Sequence, residues 1–371
     1  MSGQEIGQKE LKYVRLMEDL KEKILSGKIR AGDKLPSENQ LSVSYQVSRQ
    51  TVRKALSVLE NAGYIYAEHG RGTFCSELVH SHRNSRNIAV VTTYLSDYIF
   101  PRVIKGIDTV LTKAGYSIIL KNTGNSRSME AKCLEELLQK DIEGIIIEPS
   151  KSQIFCRHMN LYQKLEESGI PYVFIQGCFA KMNEKPQVLM NDCKGGYLIT
   201  RYLIQKGHKK IIGVFKSDDI QGQNRHKGYV MALQEADISY DPDKVIWYYT
   251  EDRKIHPYES IYQMAVGSQP MDGVVCYNDQ IAMQVIQALN DAGLKVPEDI
   301  SVTGYDNSYM ANVNGLKLTS ILHPQEKLGE MAAELMLKLI QNGNEIKEEK
   351  KILIEPEIVE GNSCRERKNN L

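Results

Sequence analysis

The stretch from Lys34 to Thr73, KLPSENQLSVSYQVSRQTVRKALSVLENAGYIYAEHGRGT, constrains this chain most, because few folds accept it. Its centre predicts a helix from Ser48 to Ala62. Ser48 is a good N-cap, since its hydroxyl can accept from an unpaired first-turn N–H, and Gly63 follows at the stop. Val52, Ala55, Leu56 and Leu59 recur at helical spacing and define a core face. Arg49, Gln50 and Arg53 fall opposite. A shorter helix precedes it, opened by the Ser37-x-x-Gln40 capping box, and Tyr45-Gln46-Val47 forms the turn. From Asn39 to Leu59 there are two arginines, one lysine and no acidic residue. A hairpin follows: Tyr64 to Ala67, a tip at Glu68 to Gly72, and Thr73 to Cys75. An earlier helix with Val14, Met17, Leu20 and Ile24 on one face should pack on this unit. Together these elements read as a winged helix-turn-helix, whose second helix is shaped for the major groove. Patterning alone also allows an ordinary two-helix core with a solvated charged face.

The segments LPSENQL, VSRQTVRKAL, GYI and HGRGTF resemble, in order, the GntR family of bacterial DNA-binding domains. The resemblance covers about residues 10–76. It implies DNA contacts from Arg49, Gln50, Thr51 and Arg53 on the recognition helix, from Glu38, and from the wing residues His69, Gly70 and Arg71. Ser48 joins them as a phosphate ligand at a helix N-terminus.

Charge supports this only locally. The 371 residues are neutral overall, and over 1–78 the 12 basic residues exceed the acidic ones by two. No apolar run approaches the ~18 residues of a membrane span, and the polar N-terminus lacks an apolar signal core. Seven scattered cysteines without a Cys-x-x-Cys pair fit a reducing cytoplasm. No metal site or cofactor is read from the sequence. Phosphate-loop, His-Glu-x-x-His and Gly-x-Ser-x-Gly motifs are missing, so an enzyme is not the expectation.

Residues 77–86 read as a polar linker, a tether whose Arg83 and Arg86 could also touch a DNA backbone. From Asn87 the texture changes. Short apolar runs (IAVV, SIIL, GIII, PYVFI, KIIGVF, VIWYY, GVVCY, ISVTGY) alternate with helical patterns. Such alternation signals parallel sheets covered on both faces, and ligands on such sheets sit beyond the carboxyl ends of the strands. The loops there carry Tyr98, Phe100, Arg102, Glu148, Gln176, Arg225, His226, Asn278 and Asp306. Carboxylates, amides and arginine suit vicinal hydroxyls, and an aromatic ring suits an apolar sugar face. These residues indicate a small polar ligand, although Arg225 and Asp306 could equally be a structural ion pair.

PRVIKGID, GIIIEPS, IPYVFIQG, NRHKGYVMAL, DGVVCYNDQ, VPEDISVTGYDNS and LTSILHP resemble the effector part of LacI/GalR regulators, over about residues 87–361. That resemblance implies a two-lobed, periplasmic-binding-protein-like (type I) α/β domain with the ligand between the lobes. The expected lobes are about 87–178 with 306–321, and 179–305 with 322–361. The match puts Phe100, Arg225, Asn278 and Asp306 at family ligand positions. Gln176 stands where many members have aspartate. The tail after Glu360 reads as disordered. A GntR-type head on a LacI-type sensor resembles the arabinose-responsive repressors of Gram-positive bacteria. It implies a homodimer on near-palindromic operator DNA with L-arabinose as effector, and no membrane partner. Another pentose, a hexose or a purine stays open as the ligand.

Overall fold

The computed structural model describes the chain apart from residues 1–2, 26–27, 62, 69, 77–84, 96–97, 268, 314, 343–349 and 368–371, and gives backbone only for 3–11, 25 and 313. The described residues form two compact units whose boundary falls between Arg86 and Asn87. Most of the expected linker, with Arg83, lies outside the described residues, as does His69.

The first unit runs through helices α1 (Gly3–Leu25), α2 (Glu38–Ser44) and α3 (Arg49–Asn61) to an antiparallel hairpin, β1 (Ile65–Glu68) and β2 (Gly72–Cys75). Ser37 and Gln40 make the capping box, with Gln40 Oε1 accepting from Ser37 N–H at 2.8 Å. Ser48 Oγ accepts from Thr51 N–H at 3.2 Å, and so opens α3. Val52, Ala55, Leu56 and Leu59 are buried against Leu41, Ile65 and α1. On α1 the buried row is Leu16, Leu20 and Ile24. It runs at i, i+4, i+8, so Val14 sits half-buried at its flank rather than on the face expected for it.

The second unit alternates strand and helix. In order it has β3 (Asn87–Thr92), α4 (Phe100–Lys113), β4 (Ser117–Asn122), α5 (Arg127–Leu137), β5 (Gly144–Ile147), α6 (Met159–Glu167), β6 (Tyr172–Ile175) and β7 (Gln187–Met190). There follow α7 (Asp192–Gln205), β8 (Ile211–Lys216), α8 (Ile220–Glu235), β9 (Val245–Tyr248), α9 (His256–Val266), β10 (Gly273–Cys276), α10 (Asp279–Asp291) and β11 (Ser301–Asp306). The chain ends through the short pair β12 (Asn312–Val313) and β13 (Leu316–Lys317), then β14 (Thr319–Leu322), α11 (Gln325–Gln341), β15 (Lys351–Ile354) and β16 (Glu357–Val359). Two six-stranded sheets result, ordered β4-β3-β5-β6-β7-β15 and β9-β8-β10-β11-β14-β16. All their pairings are parallel except β14 with β16.

The sheets correct the expected lobe limits. Residues 306–321 do not belong with the first lobe, because β11 and β14 are hydrogen-bonded neighbours in the second sheet. Residues 179–190, 323–342 and 350–354 do, through β7, α11 and β15. The strands that set these limits, β7, β14, β15 and β16, were not expected as strands. The tail is also ordered through Arg367. Ser363 Oγ donates to Val302 O at 2.6 Å and accepts from Thr319 N–H at 2.9 Å, which docks the tail on the second sheet.

The chain crosses between lobes near Asn191, His323 and Glu355. Each lobe has its own apolar core. Ile88, Val90, Ile146 and Val173 lie under Ile107, Leu328 and Met336 in the first lobe. Ile212, Val274 and Val302 lie under Val285 and Leu289 in the second. One close approach matters for the site. A Cβ at Gly196 on α7 would stand 2.1 Å from the carbonyl oxygen of Arg225 on α8. Only glycine lets α8 lie this near, and α8 carries Arg225 into the lobe interior. Gly196→Ala should therefore destabilise the protein by about 1–3 kcal/mol. Urea denaturation followed by circular dichroism would show a lower midpoint at unchanged slope; an unmoved midpoint would mean that the helices separate freely.

Candidate functional site

A cavity of about 500 Å³ lies between the lobes, at the carboxyl ends of both sheets. It takes side chains from the ends of β3, β5, β6, β8, β9, β10 and β11, as expected for open parallel sheets. Seven of the nine candidate residues line it: Tyr98, Phe100, Glu148, Gln176, Arg225, Asn278 and Asp306. Arg102 does not. It lies on the outer face of α4, exposed, with Nε 3.2 Å from Glu326 Oε1. His226 does not line it either. Successive residues on a helix point about 100° apart, so with Arg225 turned inward His226 packs outward, its ring 4.7 Å from Trp247 and 5.4 Å from Phe215.

Arg225 is the hub. Its Nε donates to Asp192 Oδ1 at 2.8 Å and its Nη1 to Tyr277 O at 2.6 Å. Its Cζ stands 3.5 Å from the Tyr305 ring centroid and 4.7 Å from that of Tyr277. Burial acts to lower the guanidinium pKa, but Asp192 and Asp306 outweigh it and hold the group well above its ordinary value. Burial pushes the Asp192 carboxyl up, against the pull of Arg225. Nη2 is 3.7 Å from Asp306 Oδ1, too far for a hydrogen bond.

Lys216, Asp219, Gln221, Tyr248 and Arg253 also line the cavity, and sequence reading missed them. One signal was available. Lys216 is a lysine closing an otherwise apolar strand, followed after Ser217 by Asp218 and Asp219. Its ammonium meets Asp219 and lies 3.6 Å from Asp218 Oδ1. At the cavity entrance Arg253 lies over Tyr94, its Cζ 4.3 Å from the ring centroid. Three lining residues, Tyr98 (φ 62°), Gln176 (φ 66°) and Asp306 (φ 94°), have left-handed backbones. Such strain gathers at binding sites that the surrounding structure over-determines. Asn278 Oδ1 accepts from Ile281 N–H at 3.1 Å, which fixes it as the N-cap of α10.

Four buried polar atoms on lining residues have no hydrogen-bond partner among the described residues: Gln176 Nε2, Gln221 Oε1, Gln284 Oε1 and, beyond its longer ion pair with Arg225, Asp306 Oδ1. An unsatisfied buried polar atom costs about 1–3 kcal/mol, so four on one cavity mark a surface built for hydrogen-bonding groups.

On the first unit, Arg49 and Gln50 are exposed on α3. Arg53 is not a lone cation. Its Nε donates to Glu38 Oε2 at 2.9 Å and Oε1 at 3.1 Å, tying α3 to α2. Thr51 is 8 % exposed, and its hydroxyl sits 2.9 Å from that of Ser48, which limits its reach outward. At the wing tip Gly70 (φ 75°) and Gly72 (φ 122°) are left-handed around Arg71, and Arg71 Nη1 pairs with Glu68 at 2.6 Å.

These two sites define a regulator with a DNA-type head and a sensor-type body. Residues 12–75 match the model for bacterial regulatory proteins of the gntR family, and residues 200–364 that for the periplasmic binding protein-like domain. The chain is 38% identical to the arabinose metabolism transcriptional repressor of Halalkalibacterium halodurans, over 97% of this chain and 98% of that one. It is 35% identical to the protein of the same name from Geobacillus stearothermophilus, over 96% and 98%. The LacI family regulator of Enterococcus faecium with bound ribose superposes at a TM-score of 0.64 and 26% identity, over 76% of this chain and all of that one. The chain belongs to the family of the arabinose metabolism transcriptional repressors. The relatives it matches over nearly its whole length are transcriptional repressors. Among the described residues no helix is long and apolar enough to cross a membrane.

Glu148 gives a pH test of the cavity. Burial pushes its carboxyl up to about 7, against two bonds from Thr93, from N–H at 3.0 Å and from Oγ1 at 2.5 Å. The folded value lies above the ordinary 4.5, so the native state binds the extra proton between the two. The stability tied to the neutral carboxyl is complete below pH ~4.5 and is lost as pH rises through about 7. Glu148→Gln should therefore gain on the wild type with rising pH, by up to about 3 kcal/mol at pH 8. Melting temperatures at pH 5 and pH 8 check this, and an offset that does not grow with pH would count against it.

Proposed function

We propose that the chain is a sugar-released repressor. It binds near-palindromic operator DNA as a dimer, in the cytoplasm, and lets go when L-arabinose occupies the cavity between the lobes. The observation that carries the effector half is the set of four unpartnered buried polar atoms on the cavity lining. They suit a neutral, many-hydroxyl ligand, and the tyrosine and phenylalanine rings nearby suit the apolar face of a sugar. The names of the two relatives, at 38% and 35% identity over nearly the whole chain, support arabinose among sugars.

For the DNA half, the proposed contacts are Arg49, Gln50, Thr51 and Arg53 of α3 with Ser48 at its start, Glu38 of α2, and His69, Gly70 and Arg71 of the wing. Arg49 and Gln50 take the base-reading role, since they are exposed and arginine forks onto guanine. Glu38 holds Arg53 at a set angle, so that pair serves orientation as much as contact. In a dimer, two such helices read half-sites a whole number of helical turns apart.

Release is a matter of linkage. A sugar between hinged lobes favours the closed state only by its differential affinity for that state. If closure changes the spacing of the heads, sugar and DNA weaken each other by the same factor, about 5–150-fold for a typical coupling. Fluorescence anisotropy on a promoter fragment, at fixed salt, tests both halves. L-arabinose should release the DNA, while D-xylose, ribose and galactose should not. Release by one of those instead would move the effector assignment. Arg49→Ala should weaken operator binding at least about tenfold, the loss expected for one forked base contact, and leave sugar binding unchanged. Gln221→Leu should do the reverse, raising the sugar concentration needed for release by about tenfold. Parallel loss of both activities in either variant would argue against two separable sites.

A further inference from the structure

The second lobe crossing carries a buried histidine that does not line the cavity. His323 follows β14 and precedes α11, with its side chain 3 % exposed. Its Nε2 lies 2.9 Å from Gln176 Oε1, and its Nδ1 has no partner among the described residues. Gln176 does line the cavity, and its Nε2 is one of the four unpartnered atoms. We propose that His323 is a positioning residue: its Nε2–H holds the Gln176 oxygen and so turns the amide N–H₂ toward the effector.

The proton count decides the direction of this bond. A neutral imidazole has one N–H and one lone pair. If the proton sat on Nδ1, a buried donor would be left unpaired, and Gln176 would have to turn its nitrogen to His323. With the proton on Nε2, the one N–H is used, only a lone pair is left over, and the Gln176 oxygen is the accepting atom. Protonating both nitrogens would bury a cation beside Arg225. Burial pushes His323 down to about 4, with Asp306 opposing and Arg225 adding to the shift, so the ring stays neutral.

The crossing is held on both sides of the ring. His323 N–H reaches Asp306 O at 3.4 Å, Gln325 N–H donates to His323 O at 2.9 Å, and Gln325 Nε2 donates to Asp306 O at 3.3 Å. Gln176 is fixed in its left-handed turn at the end of β6. The lining therefore offers a donor at Gln176 and an acceptor at Asp306 Oδ1. The effector group at Gln176 must accept, as a ring oxygen or a hydroxyl lone pair does. This inference rests on the cavity being the effector site, and it names a specificity-determining residue outside the cavity.

The tautomer can be read without any effector. In the full-length protein labelled with ¹⁵N-histidine, the His323 ring, assigned by loss in His323→Gln, should show Nε2–H and no titration between pH 5.5 and 8. An Nδ1–H ring, or one that titrates in that range, would overturn the proposal. Calorimetry with L-arabinose supplies the second arm. His323→Leu should weaken binding about tenfold, the size of one lost hydrogen bond to a buried group, with operator affinity unchanged. His323→Gln, whose amide N–H can donate to the same oxygen, should stay within about threefold. Wild-type affinity in His323→Leu, or a His323→Gln variant as weak as His323→Leu, would also overturn it. No heat from the wild type would sink the arabinose assignment alone, with the tautomer still deciding the hydrogen bond.

Discussion

A buried guanidinium holds the sensor body together. Arg225 is 5 % exposed, and its nearest counter-charge, Asp192, comes from α7 across the Gly196 contact. Desolvating two charges costs more than an isolated pair returns. Here the cost is offset by the Tyr277 carbonyl and by Tyr305 and Tyr277 around the guanidinium plane. The cluster joins residues from α7, α8, β10 and β11, so the strand ends that form one wall of the cavity keep a fixed register. The glycine that lets α8 approach is needed because the arginine must reach inward.

The lobes touch beyond the cavity through a second polar cluster. Asn125 and Lys151, left-handed residues of the first lobe, face Asp218, Asp219 and Thr250 of the second. Asn125 Nδ2 donates to Thr250 Oγ1 at 2.7 Å and to Asp219 Oδ1 at 3.1 Å, and Lys151 Nζ is 3.4 Å from Asp218 Oδ2. Ser152 Oγ accepts from Ile220 N–H at 3.0 Å. Asp219 also holds Lys216, which lines the cavity. The groups that clasp the lobes and a cation inside the cavity thus share a carboxylate.

The sequence showed the architecture because its signals were periodic. Capping at Ser37 and Ser48, the apolar row on α3 and the apolar runs of the inner strands each followed a local rule. The missed strands share one cause. The short strands at 187–190, 319–322, 351–354 and 357–359 take their identity from neighbours far along the chain, so no local pattern announced them, and the lobe limits slipped with them. The candidate site was readable as a set of strand ends, which fixes position but not direction. Arg225 and His226 are adjacent in sequence and equally polar, and only the rotation of α8 separates the inward from the outward one. Glu38 and Arg53 were both assigned to DNA, while their mutual bond needed two helices in contact.

The same geometry bears on what kind of ligand the cavity suits. Its ionic groups are largely matched from within, Arg225 with Asp192 and Lys216 with Asp219. A charged ligand would have to break or outbid these pairs, at the several kcal/mol that stranding a buried charge costs. What the lining leaves without a hydrogen bond is mostly amide: Gln176 Nε2, Gln221 Oε1 and Gln284 Oε1, with Asp306 Oδ1, 3.7 Å from Arg225 Nη2, as the charged exception. Amides and a lone carboxylate oxygen suit hydroxyl groups, which donate and accept at once. Selectivity among polyols then follows from which unmatched atoms are donors and which acceptors, because a missing partner leaves a buried group unpaired at a cost of about 1–3 kcal/mol each.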